Sequence, residues 1–485
     1  MRPALRATLL AALIAACHTA LPVYAVDLMQ IYNEALANDP VFSAARAALA
    51  AGRERETQGR AGLLPTVTAG GTYTRNDQEA FGQNQRYNNN AYTVQLTQPL
   101  LRVANWETYE QGKLSVAASE AQFAQAQQDL ILRVAQAYFD VLTAQDALIF
   151  LKAQETAITE QLASAKRNFE VGTATITDAN EAEARYDLAI AQQVAAQNDV
   201  EVRRAALQQL IGRAPGTLAV LRAGVTLAAP TPAAVEEWVA RAEQQNFSVM
   251  SQQLAVEIAT REIKRSRAGH YPTIDFIAAR SSSAQSGGSQ NNPTLAAFSG
   301  AGSNNSVGVQ WAIPLFSGFA VDSRVRETIA LEDRARNDLE NARRTAVLAV
   351  RQSYWGVSNG LVQVRALQAA QNSSQSALES NRLGYQVGVR INIDVLNAQQ
   401  QLFSTRRDLA RARYETILNG LRLKSATGTL QEQDLGQINA LLTTEAPQAA
   451  TATENMGTPE AGPTVPVPAR RQVPGMPGSS RSQRR

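Results

Sequence analysis

Cysteine and histidine are nearly missing from this chain of 485 residues, which holds one Cys and two His. Cys17 and His18 both fall within the first 25 residues, which read as a removable export leader. A mature chain starting near Val26 keeps only His270. Zinc fingers, Cys–His nucleophile pairs, Ser-His-Asp triads and disulfide staples are thereby excluded or left without partners. Elsewhere no motif sets a nucleophile beside a base, and His270, next to Tyr271-Pro272, reads as an interfacial anchor. The sequence predicts no enzyme, no cofactor and no metal. Beyond the leader it also lacks an apolar run of the roughly 18 residues that a membrane-crossing helix needs.

Charge is scarce, at 18% of residues, and the net value is +3. That excess sits at the ends: Arg2 and Arg6 in the leader, then five Arg against two Glu from Ala446 onward. The stretch 26–445 is left near −2. With no basic patch interleaved with aromatics, nucleic acid is not an expected partner.

Residues 1–25 combine a basic start, an apolar run from about Ala7 to Ala16 and the exit Val23-Tyr24-Ala25, the pattern of a secretory signal cleaved after Ala25. Ile14-Ala15-Ala16-Cys17 loosely imitates a lipoprotein cleavage box, but the residues after Ala25 look like a complete domain start. At the other end, 446–485 carries seven Pro with Ala, Thr, Gly and Arg, and reads as a disordered tail.

Between these ends the chain repeats itself. Val134-Ala-Gln-Ala-Tyr138-Phe139 answers Val350-Arg-Gln-Ser-Tyr354-Trp355 at an offset of 216. Phe169-Glu-Val171-Gly172 answers Tyr385-Gln-Val387-Gly388, and Asp178 answers Asp394, at the same offset. Two copies are too few for a solenoid, so the reading is a duplicated unit, 26–230 and 231–445.

Each half follows one order. A helical segment, roughly 28–60 or 232–267, leads into a strand at about 64–75 or 272–280. A polar Gly/Asn/Ser-rich loop follows (76–90 or 281–305), then a second strand at about 91–98 or 306–313, stopped by Pro99 or Pro314. All four strands alternate apolar with small or polar residues. Val67, Ala69, Tyr73, Tyr92, Val94, Leu96, Ile274, Phe276, Val307, Val309, Trp311 and Ile313 fall on one face. Thr66, Thr68, Thr72, Thr93, Gln95, Thr97, Asp275, Ser306 and Gln310 fall on the other.

After the strands come Pro-free stretches, about Asn105–Glu170 and Asp322–Gln386, rich in Ala, Gln, Leu, Arg and Glu. Each predicts a helical rod on the order of 100 Å long, turning at Gly172 or Gly388 and returning along 178–211 or 394–427. An ordinary antiparallel coiled-coil hairpin has this geometry.

Four strands cannot close a barrel, for which about eight is the practical minimum. An open two-faced sheet would leave edges and an apolar face in water. Strands pooled between chains, 12 from three copies or eight from two, would form a membrane barrel with the apolar set toward lipid. A soluble sandwich shows the same alternation, but no further strands exist for its second sheet.

Together these elements resemble the TolC family of outer-membrane exit ducts, from about Asp27 to Leu435. The resemblance rests on Leu28-Met29-Gln30-Ile31-Tyr32, Leu64-Pro65, Pro314-Leu315-Phe316-Ser317-Gly318, the stretch Tyr385 to Leu396 and the stretch Lys424 to Leu435. It implies a mainly helical homotrimer: a 12-stranded transmembrane β-barrel in the outer membrane, to which each chain gives four strands, continuous with a 12-helix periplasmic α-barrel. It also implies a passive duct that completes a tripartite machine for type I protein secretion or multidrug efflux. The partners would be a periplasmic adaptor and, through it, an inner-membrane ABC or proton-driven pump.

The resemblance further implies a gate at the periplasmic tip, with Tyr385 and Arg390 tied to Thr177 and Asp178. Asp394 matches an acidic entrance ring. The second ring position is Asn397, a departure that weakens attraction for cations. Val171-Gly172-Thr173 and Val387-Gly388-Val389 match the turns on which adaptor tips dock. Taken without the resemblance, Arg390 and Asp394 are ordinary charges of a solvated turn, and the glycines simply permit reversal. A trimeric coiled-coil adhesive or structural surface protein is the alternative. It explains the rods, but not the strand pairs or the repeat.

Overall fold

The computed structural model describes residues 25–80, 83–222, 224–286 and 300–443. The export leader up to Tyr24, Cys17 and the 446–485 tail lie outside the described residues.

The first helical segment is two helices. Asp27 caps α1 (Leu28–Asn38) by accepting from the Gln30 amide at 2.7 Å. Asp39 then caps α2 (Pro40–Ala61), accepting from Val41 and Phe42. The single helix expected over 28–60 breaks because Pro40 has no amide proton and keeps Asp39 out of helical geometry.

β1 (Thr66–Ala80) and β2 (Gln83–Leu101) follow as a hairpin. The loop expected over 76–90 is largely strand. Its Asn, Gln and charged residues read as loop composition, yet the ladder is held by backbone groups and by cross-strand pairs such as Asp77–Arg86 at 2.9 Å. Pro99 does not stop β2, which passes it with a register irregularity before Leu101.

α3 (Val103–Glu170, 68 residues) is the first rod. It reverses at Gly172, whose φ of +76° suits glycine, into α4 (Ile176–Ile211). A short β3 (Val220–Leu221) follows, then α5 (Val235–Gln245) and α6 (Phe247–Arg267). Asn246 separates the last two by capping α6, so the helix expected over 232–267 is again two.

β4 (Thr273–Ser286) and β5 (Gly300–Ala312) form the second hairpin, extending through much of the loop expected at 281–305 for the same reason. α7 (Ala320–Gln386, 67 residues) reverses at Gly388, also at +76°, into α8 (Asn392–Ala426). α9 (Glu432–Asn439) and β6 (Leu442–Thr443) are the last elements among the described residues.

The four long strands make one antiparallel sheet in the order β1-β2-β4-β5, leaving β1 and β5 as edges. Sequence patterning missed a second small assembly: β3 pairs with β6, and Val26 bridges Leu218. It lies beside the main core, where Leu28, Ile31, Tyr138, Phe139, Leu207, Ile211 and Leu435 are fully buried. The Tyr138 hydroxyl donates to the Ala219 carbonyl at 2.7 Å, so a core aromatic fixes this junction.

Candidate functional site

The register turns the strand alternation into two faces. Directly opposed residues share a face: Val67 meets Leu96 and Ala69 meets Val94 on β1–β2, while Phe276 meets Val309 and Ile274 meets Trp311 on β4–β5. The opposite face pairs Thr66 with Thr97, Thr68 with Gln95 and Asp275 with Gln310. Each residue expected on the apolar or the polar face lies there wherever it falls within a strand.

The apolar band is level within each hairpin and steps once, between β2 and β4. Val94 is opposite Arg280 and Tyr92 opposite Ser282, whereas Phe276 is opposite Gln98, nearer the helices. The band therefore steps toward the helix end between β2 and β4.

At the helix end Arg102 grips Asp275 with Nε at 2.8 Å and Nη2 at 2.5 Å. Asp275 is on the polar face, as expected, but its carboxylate is buried under this fork rather than open to a watery lumen.

The second candidate region is the pair of hairpin tips. The Tyr385 hydroxyl accepts from Asn168 Nδ2 at 3.1 Å, joining α7 to α3. Asn392, at the start of α8, accepts from Gln161 on α3 and donates to the Asp178 carbonyl at 3.4 Å. Arg185 on α4 reaches Gln400 at 2.6 Å and Asn397 at 3.3 Å. Two hairpins distant in sequence are thus joined at their tips mainly by amide groups.

The expected tie from Tyr385 and Arg390 to Thr177 and Asp178 is not among the contacts within one chain. Arg390 instead lies 3.6 Å from Asp394 on its own helix. It also lies over Gly384, where a Cβ would sit 2.7 Å from its Cγ. Asp178 closes a capping box with Thr175. Val171, Thr173, Val387 and Val389 are exposed around the two turn glycines. Asn168, Gln161 and Arg185 escaped the sequence reading, because a polar residue on a helical rod gives no sign of which neighbour it will meet.

Farther up the hairpins, Tyr414 on α8 donates to Asp146 on α3 at 2.7 Å. Burial raises the Asp146 pKa, with the Tyr414 hydrogen bond opposing, and burial first of all holds the Tyr414 pKa well above the usual tyrosine value. Among the described residues no acidic, His or Cys cluster could hold a metal, and no helix is long and apolar enough to cross a membrane.

Comparison with known proteins agrees with this geometry. The family profile described as "Outer membrane efflux protein" matches residues 31–213 and 238–429. "Outer membrane protein TolC" of Vibrio cholerae is 33% identical over 421 residues, covering 86% of this chain and 94% of that protein. "Proteases secretion protein PrtF" of Dickeya chrysanthemi is 32% identical over 431 residues, covering 86% and 91%. Among solved structures, the Campylobacter jejuni CmeC outer membrane channel superposes with a TM-score of 0.72 at 18% identity, covering 86% of this chain and 90% of that one.

Proposed function

This chain belongs to the outer membrane efflux protein family and is an exit duct in the outer membrane; from that premise we propose how it assembles and what it serves. Three copies join, β5 of each pairing with β1 of the next. All neighbours stay antiparallel, and 12 strands close into one barrel. The hairpins α3–α4 and α7–α8 of three copies form a 12-helix periplasmic tunnel. The two halves, 26–230 and 231–445, are copies of one unit. The observation that carries the assembly is the two-faced sheet, with its apolar band and its two open edges.

The duct is passive. It receives cargo from an inner-membrane ABC or proton-driven pump through a periplasmic adaptor that docks at Val171-Gly172-Thr173 and Val387-Gly388-Val389. A relative named for protease secretion and a family profile named for efflux support type I protein secretion, multidrug efflux or both. Tyr385 and Arg390, with Thr177 and Asp178, gate the tip, and Asp394 and Asn397 line the entrance. A threefold axis turns one Asp394 per chain into three converging carboxylates, which favour cations.

Ion current through protein reconstituted in a planar bilayer tests this reading. A gated conductance is expected. A bilayer that stays sealed would overturn the conducting 12-stranded barrel.

A further inference from the structure

Between β5 and α7 the chain runs Ile313-Pro314-Leu315-Phe316-Ser317-Gly318-Phe319, apolar but for one serine and without a charge. Leu315 is 93% exposed, Phe316 76% and Phe319 69%. Phe316 and Phe319 meet edge to face with ring centres 5.5 Å apart, so they form one knuckle.

Local rules argue against Phe at 319. Its φ is +61°, the left-handed region that bulky side chains disfavour. It is also the N-cap of α7, where Ser, Thr, Asp or Asn would accept an amide proton, and it makes no such bond. Glycine would ease the backbone and serine would cap the helix. An aromatic held in this place and turned to the outside gains its stabilisation from something beyond the chain.

The surroundings indicate what that is. The knuckle continues the apolar face of β5, whose Val309 and Trp311 are also exposed. Tyr271, Ile313 and Pro314 line one cleft with Arg265 and Arg324, which sets the end of α6 beside the start of α7. Arg265 and Arg324 are both engaged by Glu262. Lys264, Arg267 and Arg326 are exposed and have no carboxylate partner among the described residues. One exposed acid, Asp322, stands in the first turn of α7, 3.7 Å from His270 Nε2. An apolar projection with a surplus of exposed cations on the adjoining helix ends is the chemistry of a segment lying at a lipid surface with anionic headgroups.

We propose that Leu315, Phe316 and Phe319 form a membrane-interface anchor in the periplasm-facing leaflet. The side chains enter the boundary between headgroups and acyl chains, and Lys264, Arg267 and Arg326 lie at the level of the lipid phosphates. The anchor pins the depth at which strands end and helices begin. The proposal rests on the barrel reading above.

The test uses the cysteine-free mature protein in nanodiscs of phosphatidylethanolamine and phosphatidylglycerol. A nitroxide is attached through Phe316→Cys and, in separate proteins, through Val309→Cys on the sheet and Val362→Cys on α7. Accessibility to dissolved oxygen and to a nickel chelate is measured by power saturation. At 316 and 309 the oxygen-to-nickel ratio is expected to rise severalfold above that at 362. An aqueous ratio at 316 with a lipid ratio at 309 overturns the anchor and leaves the barrel standing. Exclusion of both reagents from 316 means that a neighbouring copy covers the knuckle, and also overturns it. An aqueous ratio at 309 refutes the barrel reading itself.

Discussion

Asn168 on α3 donates to the Tyr385 hydroxyl on α7 at 3.1 Å, tying together two hairpin tips whose residues stand 217 positions apart. In a tunnel made of such hairpins, that bond resists any opening that swings one hairpin past the other. Tyr385→Phe removes the acceptor, a loss of about 1 kcal/mol per chain. Larger single-channel conductance in planar bilayers is the expected result. Arg390→Ala acts in the same direction, though its exposed pair with Asp394 is worth less than about 1 kcal/mol. Adding Asn168→Ala to Tyr385→Phe adds little, since one bond is lost either way. Unchanged conductance in all three variants would count against the gate.

The two turn glycines allow docking and chain reversal to be separated. Nothing lies within 4 Å of a Cβ built on Gly172 or Gly388, so a side chain there would meet open space but a strained backbone. Gly172→Glu with Gly388→Glu is expected to abolish cross-linking to the adaptor and export. Gly172→Asn with Gly388→Asn, which tolerates the left-handed region better, is expected to keep the fold and most of the cross-linking. Intact cross-linking in the Glu pair would remove these turns from the docking surface.

Asp39 combines two duties in a buried place. It caps α2 through the Val41 and Phe42 amides and meets Arg133 Nη2 at 2.7 Å. Asp39→Ala is expected to lower unfolding stability by about 1–3 kcal/mol, from the lost cap and the unpaired guanidinium. Asp39→Asn keeps the cap and is expected to lose less. Urea midpoints of the three proteins give the comparison, and a wild-type midpoint for Asp39→Ala would refute it.

Asp146 predicts a pH dependence of defined sign. Burial raises its folded pKa above the ordinary carboxylate value, so the folded chain holds this proton more tightly than the unfolded chain. Its contribution to stability is complete in acid and is lost as pH rises through the raised folded value. Tyr414 stays protonated throughout, since its pKa is also raised. Asp146→Asn, which keeps an acceptor for Tyr414 without the charge, is expected to be more stable than wild type at neutral pH. In mild acid the gain should vanish. Equal destabilisation at both values would show that the carboxylate serves as a hydrogen-bond partner alone.

Much of the helical scaffold was legible because its signals are local. Long runs without proline predict the rods α3 and α7, and Gly172 and Gly388 mark their reversals. Asp39-Pro40 and Asn246 are weaker local signals of helix breaks, because the segments on either side of each are themselves helical. The strand alternation assigned each residue to a face, because side chains alternate whatever the partner strand is. Strand length was not legible at Asn76–Ala80 or Gly300–Asn305, where the residues pair through the backbone and no apolar pattern marks them.

The sequence by itself determined where the long helical rods run and reverse, and which residues share a strand face. Only the tertiary structure decided that Asp275 is covered by Arg102, that Tyr385 meets Asn168, and that Asn392 stands between Gln161 and Asp178. Backbone periodicity is a property of a few neighbouring residues and can be read from a window of sequence. The partner of a polar side chain on a 100 Å rod depends on the register of another helix about 200 positions away, and nothing local encodes that register.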